Sequence, residues 1–155
     1  MYEETCHIPL IVKPLNKLEV TKYENKFVGT CDFYPTFLDW AGVPEKEIYC
    51  DGRSFAPLID RKTVDDWPDY VVTEGHGLAE ILYTQRMIRH GHMKYIFNCG
   101  DIDELYDLEQ DPYELSNEIE NNEYDDILMN MKELLACWME RHNDRALEQF
   151  KDLRV

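Results

Sequence analysis

Met93 to Asn117 reads MKYIFNCGDIDELYDLEQDPYELSN, and this stretch decides the fold. Lys94 to Phe97 is a short aromatic strand that runs into an Asn-Cys-Gly turn. Asp103 to Leu108 is a second strand, mixing apolar and acidic residues. A polar turn closed by Asp111-Pro112 follows, then Asn117 and a long amphipathic stretch. Two strands joined by a Gly-bearing turn and followed by a helix predict a small antiparallel layer with a helical cover. The unit carries no obvious catalytic group.

Outward from it, the chain has 155 residues, enough for a real core, and is 44% hydrophobic, which excludes a disordered chain. The net charge of -16 argues against nucleic acid and against an anionic membrane surface, whose phosphates it would repel. No apolar run approaches a transmembrane span. The start, Met1-Tyr2-Glu3-Glu4-Thr5, is acidic where a signal peptide would be basic, so no export signal is visible and localisation stays open. Cys6, Cys31, Cys50, Cys99 and Cys137 form no CxxC or CxxH pair and read as free, mostly buried thiols.

Residues 6–15 hold an apolar run between two prolines, which predicts a buried strand of a parallel sheet. Residues 16–29 read as a surface loop. Thr30 to Pro44 predicts a short helix, with Thr30 or Cys31 near its N-cap and Phe33, Phe37, Leu38 and Ala41 on one face, stopped by Gly42. Asp51 to Ile59 is a turn into a brief helix, and 60–69 reads as a charged linker. Tyr70 to Glu74, Thr84 to His90, Lys94 to Phe97 and Asp103 to Leu108 give a meander of about four strands. From Asp101 to Asp126 there are 12 acidic residues and no Lys or Arg. The last helix is expected from near Tyr124 for about 24 residues, roughly 35 Å, with Ile127, Leu128, Met131, Leu134, Leu135, Trp138 and Met139 on its apolar stripe and His142, Ala146 and Phe150 extending it.

Three stretches in this order resemble the C-terminal part of the sulfatase family, within the alkaline-phosphatase-like superfamily. Tyr2-Glu-Glu-Thr-Cys-His-Ile-Pro-Leu-Ile-Val12 is similar to a family strand. Asp32-Phe-Tyr-Pro-Thr-Phe-Leu-Asp-Trp-Ala-Gly-Val-Pro44, with Asp51-Gly-Arg-Ser-Phe-Ala-Pro-Leu58, is similar to the family's D-x-x-P-T helix and the G-x-S-x-x-P-L that follows it. Lys94-Tyr-Ile96 with Glu104 to Asn117 resembles K-Y-x followed by E-L-Y-D-L-x-x-D-P-x-E-x-x-N. The resemblance implies an α/β fold: residues 1–62 as the C-terminal remnant of a catalytic α/β domain, and residues 63–155 as an α+β subdomain of about four antiparallel strands packed on a long helix.

In the full-length family the resemblance implies sulfate-ester hydrolysis by a formylglycine nucleophile assisted by calcium, with positioned cations on the transferring group. Neither the C-x-[Pro/Ala]-S-R nucleophile motif nor a D-[Asn/His]-G calcium motif occurs here, and Cys50-Asp-Gly-Arg-Ser54 has the wrong order. The expectation is therefore a segment that helps shape a pocket for aryl or carbohydrate sulfates. It is expected to be inactive alone, to hold no metal itself, and to have the missing N-terminal sulfatase domain as partner. The rivals are a segment of a phosphate or phosphonate ester hydrolase and a non-catalytic acidic interaction module. Within the non-enzymatic alternative, a truncated reading frame is favoured over a module that stands alone.

Candidate substrate-binding residues follow from position. His76 and Glu74 end a strand between glycines that permit a ligand to approach, and family loops of this subdomain line the pocket. Arg86 on the next strand suits a substrate carboxylate or sulfate, against an ion pair with one of the many carboxylates. His7 precedes Ile8-Pro9, near the position of a family lysine. His90, His92 and Cys99 lack a fourth metal ligand, and Asp101, Asp103, Asp107, Glu109 and Asp111 do not follow the EF-hand pattern. Asp111 and Asn117 are expected to shape their turn by side-chain-to-backbone bonds.

Overall fold

The computed structural model describes residues 1–13, 25–44, 49–60, 64–77 and 83–152. The chain forms two compact units: Met1–Ile8 with Val72–Val155, and Pro9–Val71. Its α-helices are α1 (Glu3–Cys6), α2 (Phe33–Trp40), α3 (Ala56–Ile59), α4 (Asp125–Arg141) and α5 (Leu147–Asp152).

The first unit is built on the expected meander. Strands β1 (Tyr70–Gly75), β2 (Gln85–His90), β3 (Met93–Asn98) and β4 (Glu104–Asp107) lie in the order β1-β2-β3-β4. β2 and β3 pair antiparallel from Gln85↔Asn98 to His90↔Met93, which leaves Gly91 and His92 as a two-residue turn. Gly91 has φ +59, the left-handed conformation that such tight hairpins need at a central position. β3 and β4 pair with Lys94 opposite Tyr106 and Ile96 opposite Glu104. The Asn98 side chain closes the longer turn between them, donating to the Ile102 carbonyl at 2.8 Å and to Glu104 Oε1 at 2.7 Å.

β3 is buried along its whole length, so the sheet is covered on both faces. On one face lie helices α4 and α5. Phe150 of α5 meets Phe97 edge-to-face with centroids 5.0 Å apart. On the other face Met87, Ile96 and Tyr106 form a buried cluster with Met1, Cys6 and Leu108 packed on it. The cover there is the chain start, with helix α1 and with Tyr2 edge-on to Tyr106 at 6.1 Å.

Two expectations are corrected. The described part of the stretch 6–15 does not form a strand: Glu3 to Cys6 is helical and residues 7–13 have no regular structure. A strand needs a hydrogen-bonding neighbour, and the four described strands pair only among themselves. Residues 14 and 15 lie outside the described residues, as does most of the expected 16–29 loop.

The last helix is also shorter than its apolar stripe suggests. α4 has 17 residues, about 25 Å. Asn143 takes φ 51, its N–H donates to the Glu140 carbonyl, and the Asp144 N–H donates to the Met139 carbonyl. This is the paired 5→2 and 6→1 bonding of a Schellman stop, with Asn in the left-handed position. Ala146 and Phe150 are buried as the stripe required, but they reach the core from beyond the stop, Phe150 on a second helix.

In the second unit a 3-10 turn (Thr30–Asp32) leads into α2, and α3 follows. Asp32 Oδ2 accepts from the Gly29 N–H at 2.7 Å and its Oδ1 from the Arg53 N–H at 2.8 Å. Buried Thr36 donates to the Asp32 carbonyl and accepts from the Phe55 N–H at 2.9 Å, while Ser54 Oγ donates to Asp39 at 2.7 Å. The D-x-x-P-T helix and the G-x-S-F turn are thus stitched together. The helix face differs from expectation: Pro35 and Thr36 are buried and Phe37 is exposed.

The expected linker contains a buried anchor. Trp67 donates to the Phe27 carbonyl at 2.8 Å and lies under Arg53, which pairs with Asp66 at 2.7 Å. The Gly52 turn also has a tight contact: a Cβ on Gly52 would sit 2.1 Å from the Cys31 carbonyl oxygen. Gly52→Ala is expected to lower stability by at least about 1–3 kcal/mol, because backbone must shift to admit it. Thermal unfolding of the variant checks this; a midpoint unchanged from the parent would contradict the close approach.

Candidate functional site

Strand alternation sends Arg86 to the α4–α5 face of the sheet and Lys94 to the face covered by the chain start. Each cation becomes the centre of a charge cluster, both within the first unit.

Arg86 is almost fully buried. Its Nε donates to Asp144 Oδ2 at 2.6 Å and its Nη2 to Asp144 Oδ1 at 2.8 Å, a bidentate pair. Nη1 faces the Gln85 carbonyl at 2.7 Å and the Gly75 carbonyl at 3.5 Å. Nη2 also lies 3.4 Å from Glu74 Oε1, and His76 Nε2 lies 3.7 Å from the same oxygen. Burial pushes the Asp144 carboxyl up, but the Arg86 hydrogen bonds, the Ala146 N–H and the charges of Arg86 and His76 hold it below the usual carboxylate range. Glu74 and His76 are exposed at the end of β1. Three of the four candidate residues therefore meet, with the exposed pair outside and Arg86 behind it.

His7 belongs to the other cluster. Its Nδ1 lies 3.1 Å from Glu3 Oε2, the oxygen that Arg89 Nη1 also approaches at 2.6 Å. Lys94 Nζ lies 2.7 Å from Glu3 Oε1 and 2.7 Å from Glu114 Oε1, and it donates to the Met1 carbonyl at 3.3 Å. Lys94 and Glu114 side chains are 0% and 1% exposed. Glu114 reaches this position with φ 55, a left-handed conformation uncommon for a side chain with a Cβ. Burial pushes Glu3 up, yet the Lys94 hydrogen bond and the charges of Lys94, Arg89 and His7 bring its carboxyl below the ordinary range.

The remaining motif residues fold the chain. Asp111 Oδ2 accepts from the Leu115 and Ser116 N–H groups. Asn117 accepts from the Leu105 N–H at 2.9 Å and donates to the Asp103 carbonyl at 3.0 Å. Asp103 accepts from the Asn98 N–H and the Tyr95 hydroxyl. Tyr106 donates to Glu104 Oε2 at 2.7 Å, and burial together with that carboxylate pushes its phenol well up. Cys50 and Gly52 belong to the turn on Cys31, with Cys50 Sγ donating to the Gly52 carbonyl at 3.4 Å. The cysteines differ from expectation: Cys31, Cys50 and Cys137 are exposed and Cys6 and Cys99 are half-buried, because they lie on turns, at helix ends or on the outer face of α4 and not in the core. Among the described residues no group of three or more His, Cys, Asp or Glu is placed to hold a metal ion.

Glu3 and Asp144 give a pH expectation. Both folded carboxyls titrate below their ordinary values of 4.5 and 3.8. Their stabilising contribution is present above those values and is lost as pH falls through the lower folded values. Urea midpoints are expected to stay level from neutral pH to about 5 and to fall below about pH 4. Glu3→Gln should flatten part of that fall; an unchanged acid limb would remove Glu3 from its cause.

The family model for the C-terminal region of N-sulphoglucosamine sulphohydrolase matches residues 1–141. The chain belongs to this sulfatase C-terminal family. A curated relative, the Delta 4,5-hexuronate-2-O-sulfatase of Bacteroides thetaiotaomicron, is 34% identical over 160 residues, covering 99% of this chain and 32% of the relative. A solved 2-O GAG sulfatase superposes with a TM-score of 0.65 at 33% identity, over 73% of this chain and 25% of that one. The phosphonate monoester hydrolase of Agrobacterium radiobacter shares the fold with a TM-score of 0.64 at 23% identity, over 76% of this chain and 26% of that one. Across curated relatives the chain spans between 22% and 34% of the relative's own length. In sulfatases this C-terminal domain accompanies an N-terminal one.

Two of the three family-like stretches contribute Glu3, Lys94 and Glu114, and these side chains meet in one buried cluster. Sequence reasoning placed all three in motifs without assigning them a role. The available signal was a Lys inside an otherwise apolar strand, with motif carboxylates elsewhere in the chain. Asp144 was missed altogether, because the helix was read straight through it.

Proposed function

We propose that this sulfatase C-terminal domain serves a hydrolase of carbohydrate sulfate esters, where it helps to shape the substrate pocket and supplies no nucleophile. The observation that carries the reading is the convergence of Glu3, Lys94 and Glu114: residues of the family-like motifs form the fold's anchor. Calcium and formylglycine would be supplied by the N-terminal sulfatase domain. Exposed Ile8 and Ile11, and exposed Tyr34, Phe37 and Trp40 on α2, are apolar surface of the kind such a domain would cover. The division at about residue 62 belongs to this reading. Glu74 and His76, supported by Arg86, and His7 beside Glu3, are the residues assigned toward substrate. Carbohydrate is favoured over aryl sulfate because the Bacteroides thetaiotaomicron relative is a hexuronate sulfatase.

The test is a hydrolysis assay with calcium, using a 2-O-sulfated hexuronate disaccharide, 4-nitrophenyl sulfate and 4-nitrophenyl phenylphosphonate. The purified 155-residue chain is expected to turn over none of them. The same chain joined to a sulfatase N-terminal domain is expected to release sulfate from the disaccharide. Turnover by the chain alone overturns the division of labour, and activity confined to the phosphonate overturns the substrate class.

A further inference from the structure

We infer that Arg86 is a positioning residue, and that the Glu74–His76 pair it supports takes the hydroxyl groups of a sugar ring and not its sulfate. The inference rests on the proposed sulfatase reading for its substrate class and on the geometry of the first unit for everything else.

An arginine has five N–H donors and no acceptor. In Arg86 the three nitrogens face five acceptors within the chain: the two Asp144 oxygens, the Gln85 and Gly75 carbonyls, and Glu74 Oε1. The residue is 2% exposed. Each of its donors already faces an acceptor of the chain, so the buried guanidinium is not presented to a sulfate. What the guanidinium does is join three segments: the end of β1, the start of β2 and the stop of α4 at Asp144. It thereby fixes the last residues of β1, from which Glu74 and His76 project.

Glu74 lies on the outer side of this assembly, 3.4 Å from Nη2 through one oxygen. Its carboxylate accepts hydrogen bonds and cannot donate them. A carboxylate on a chain of net charge -16 repels a sulfate ester but suits a neutral donor such as a ring hydroxyl. His76, 3.7 Å from the same carboxylate, offers a second polar contact and an imidazole edge. A carboxylate backed by a fixed arginine, next to an exposed imidazole, suits one face of a sugar. The sulfate of such a substrate would then point away from Glu74.

The experiment uses the whole 155-residue chain, labelled with ¹⁵N and titrated in an NMR tube with a hexuronate–hexosamine disaccharide, unsulfated and 2-O-sulfated. Both sugars are expected to shift the amides of Glu74, Gly75, His76 and Gly77, with affinities within about threefold of each other. Glu74→Gln is expected to weaken both by about tenfold while leaving the thermal midpoint unchanged, since it deletes a charge-assisted acceptor at an exposed position. Arg86→Lys keeps the charge but not the five-way contact. It is expected to weaken binding even under conditions where the variant remains folded, and Glu74→Gln should then add nothing further. Shifts produced by the sulfated sugar alone would overturn the hydroxyl assignment. Full affinity in folded Arg86→Lys would overturn the positioning role. A folded chain whose 74–77 amides respond to neither sugar would end the inference while leaving the hydrolysis reading to its own assay. Conversely, binding at these amides in a protein that hydrolyses only phosphonates would leave the inference standing and remove the sulfatase reading.

Discussion

Lys94→Met is expected to lower the free energy of unfolding by about 3–5 kcal/mol, the scale for removing one partner of a buried ion pair. The large size follows from what the substitution leaves behind. Glu114, 1% exposed, loses the ammonium bonded to it, and water cannot replace that partner without opening the sheet face. Glu3 is affected less, because Arg89 remains 2.6 Å from its other oxygen. Adding Glu114→Gln to Lys94→Met removes the stranded charge and should recover part of the loss, since a buried pair itself gains little over neutral groups. Urea unfolding of the parent, the two single variants and the double variant measures the coupling directly. A loss under about 1 kcal/mol for Lys94→Met, the scale of a surface pair, would show that the cluster is hydrated and does not anchor the chain start.

The parts of this fold that sequence made legible are those governed by local rules. β2, β3 and β4 begin and end within a residue or two of the expected limits, because a two-residue Gly91-His92 turn and the Asn98–Asp103 turn punctuate them. Asp111 bonds to nearby backbone as its chemistry and spacing predict, whereas Asn117 accepts locally from the Ile119 N–H and also reaches Leu105 and Asp103, 12 and 14 residues back. The misreadings have tertiary causes. An apolar run between prolines at 6–15 has the composition of a strand, but composition does not supply the neighbour that a strand must pair with. The Ile127–Phe150 stripe keeps a helical period through a break, because Asn143 turns the chain while Ala146 and Phe150 still face the core. The candidate site was legible in its exposed members and opaque in its support. Glu74 and His76 stand out as polar residues at a strand end between glycines. Nothing local announces that Arg86 will be met 58 residues later by Asp144, or that Glu114 will adopt a left-handed backbone to reach a lysine in β3.

Asp144→Ala should be as damaging as Lys94→Met, at about 3–5 kcal/mol, although it lies on the opposite face of the sheet. Asp144 holds both ends of a junction. Its N–H closes the α4 stop on the Met139 carbonyl, its Oδ1 accepts from the Ala146 N–H at 2.9 Å at the start of the next turn, and both oxygens hold Arg86. Alanine keeps the first contact and deletes the other two. A lost cap of this kind costs about 0.5–2 kcal/mol, whereas a buried guanidinium left with only the more distant Glu74 carboxylate costs more. Asp144→Ser distinguishes the cap from the ion pair, because a serine hydroxyl can cap Ala146 but carries no charge for Arg86. If the ion pair dominates, Ser and Ala variants will unfold at midpoints close to each other and far below the parent. If Ser restores most of the stability, the cap matters more than the ion pair, and Arg86 is then held in place by the Gln85 and Gly75 carbonyls more than by its carboxylate. Asn143→Gly is the matching control: glycine adopts the left-handed position freely, so the helix stop should survive with a change of under about 1 kcal/mol. A large loss there would mean that the asparagine side chain, and not its backbone conformation, is what turns the chain toward Arg86.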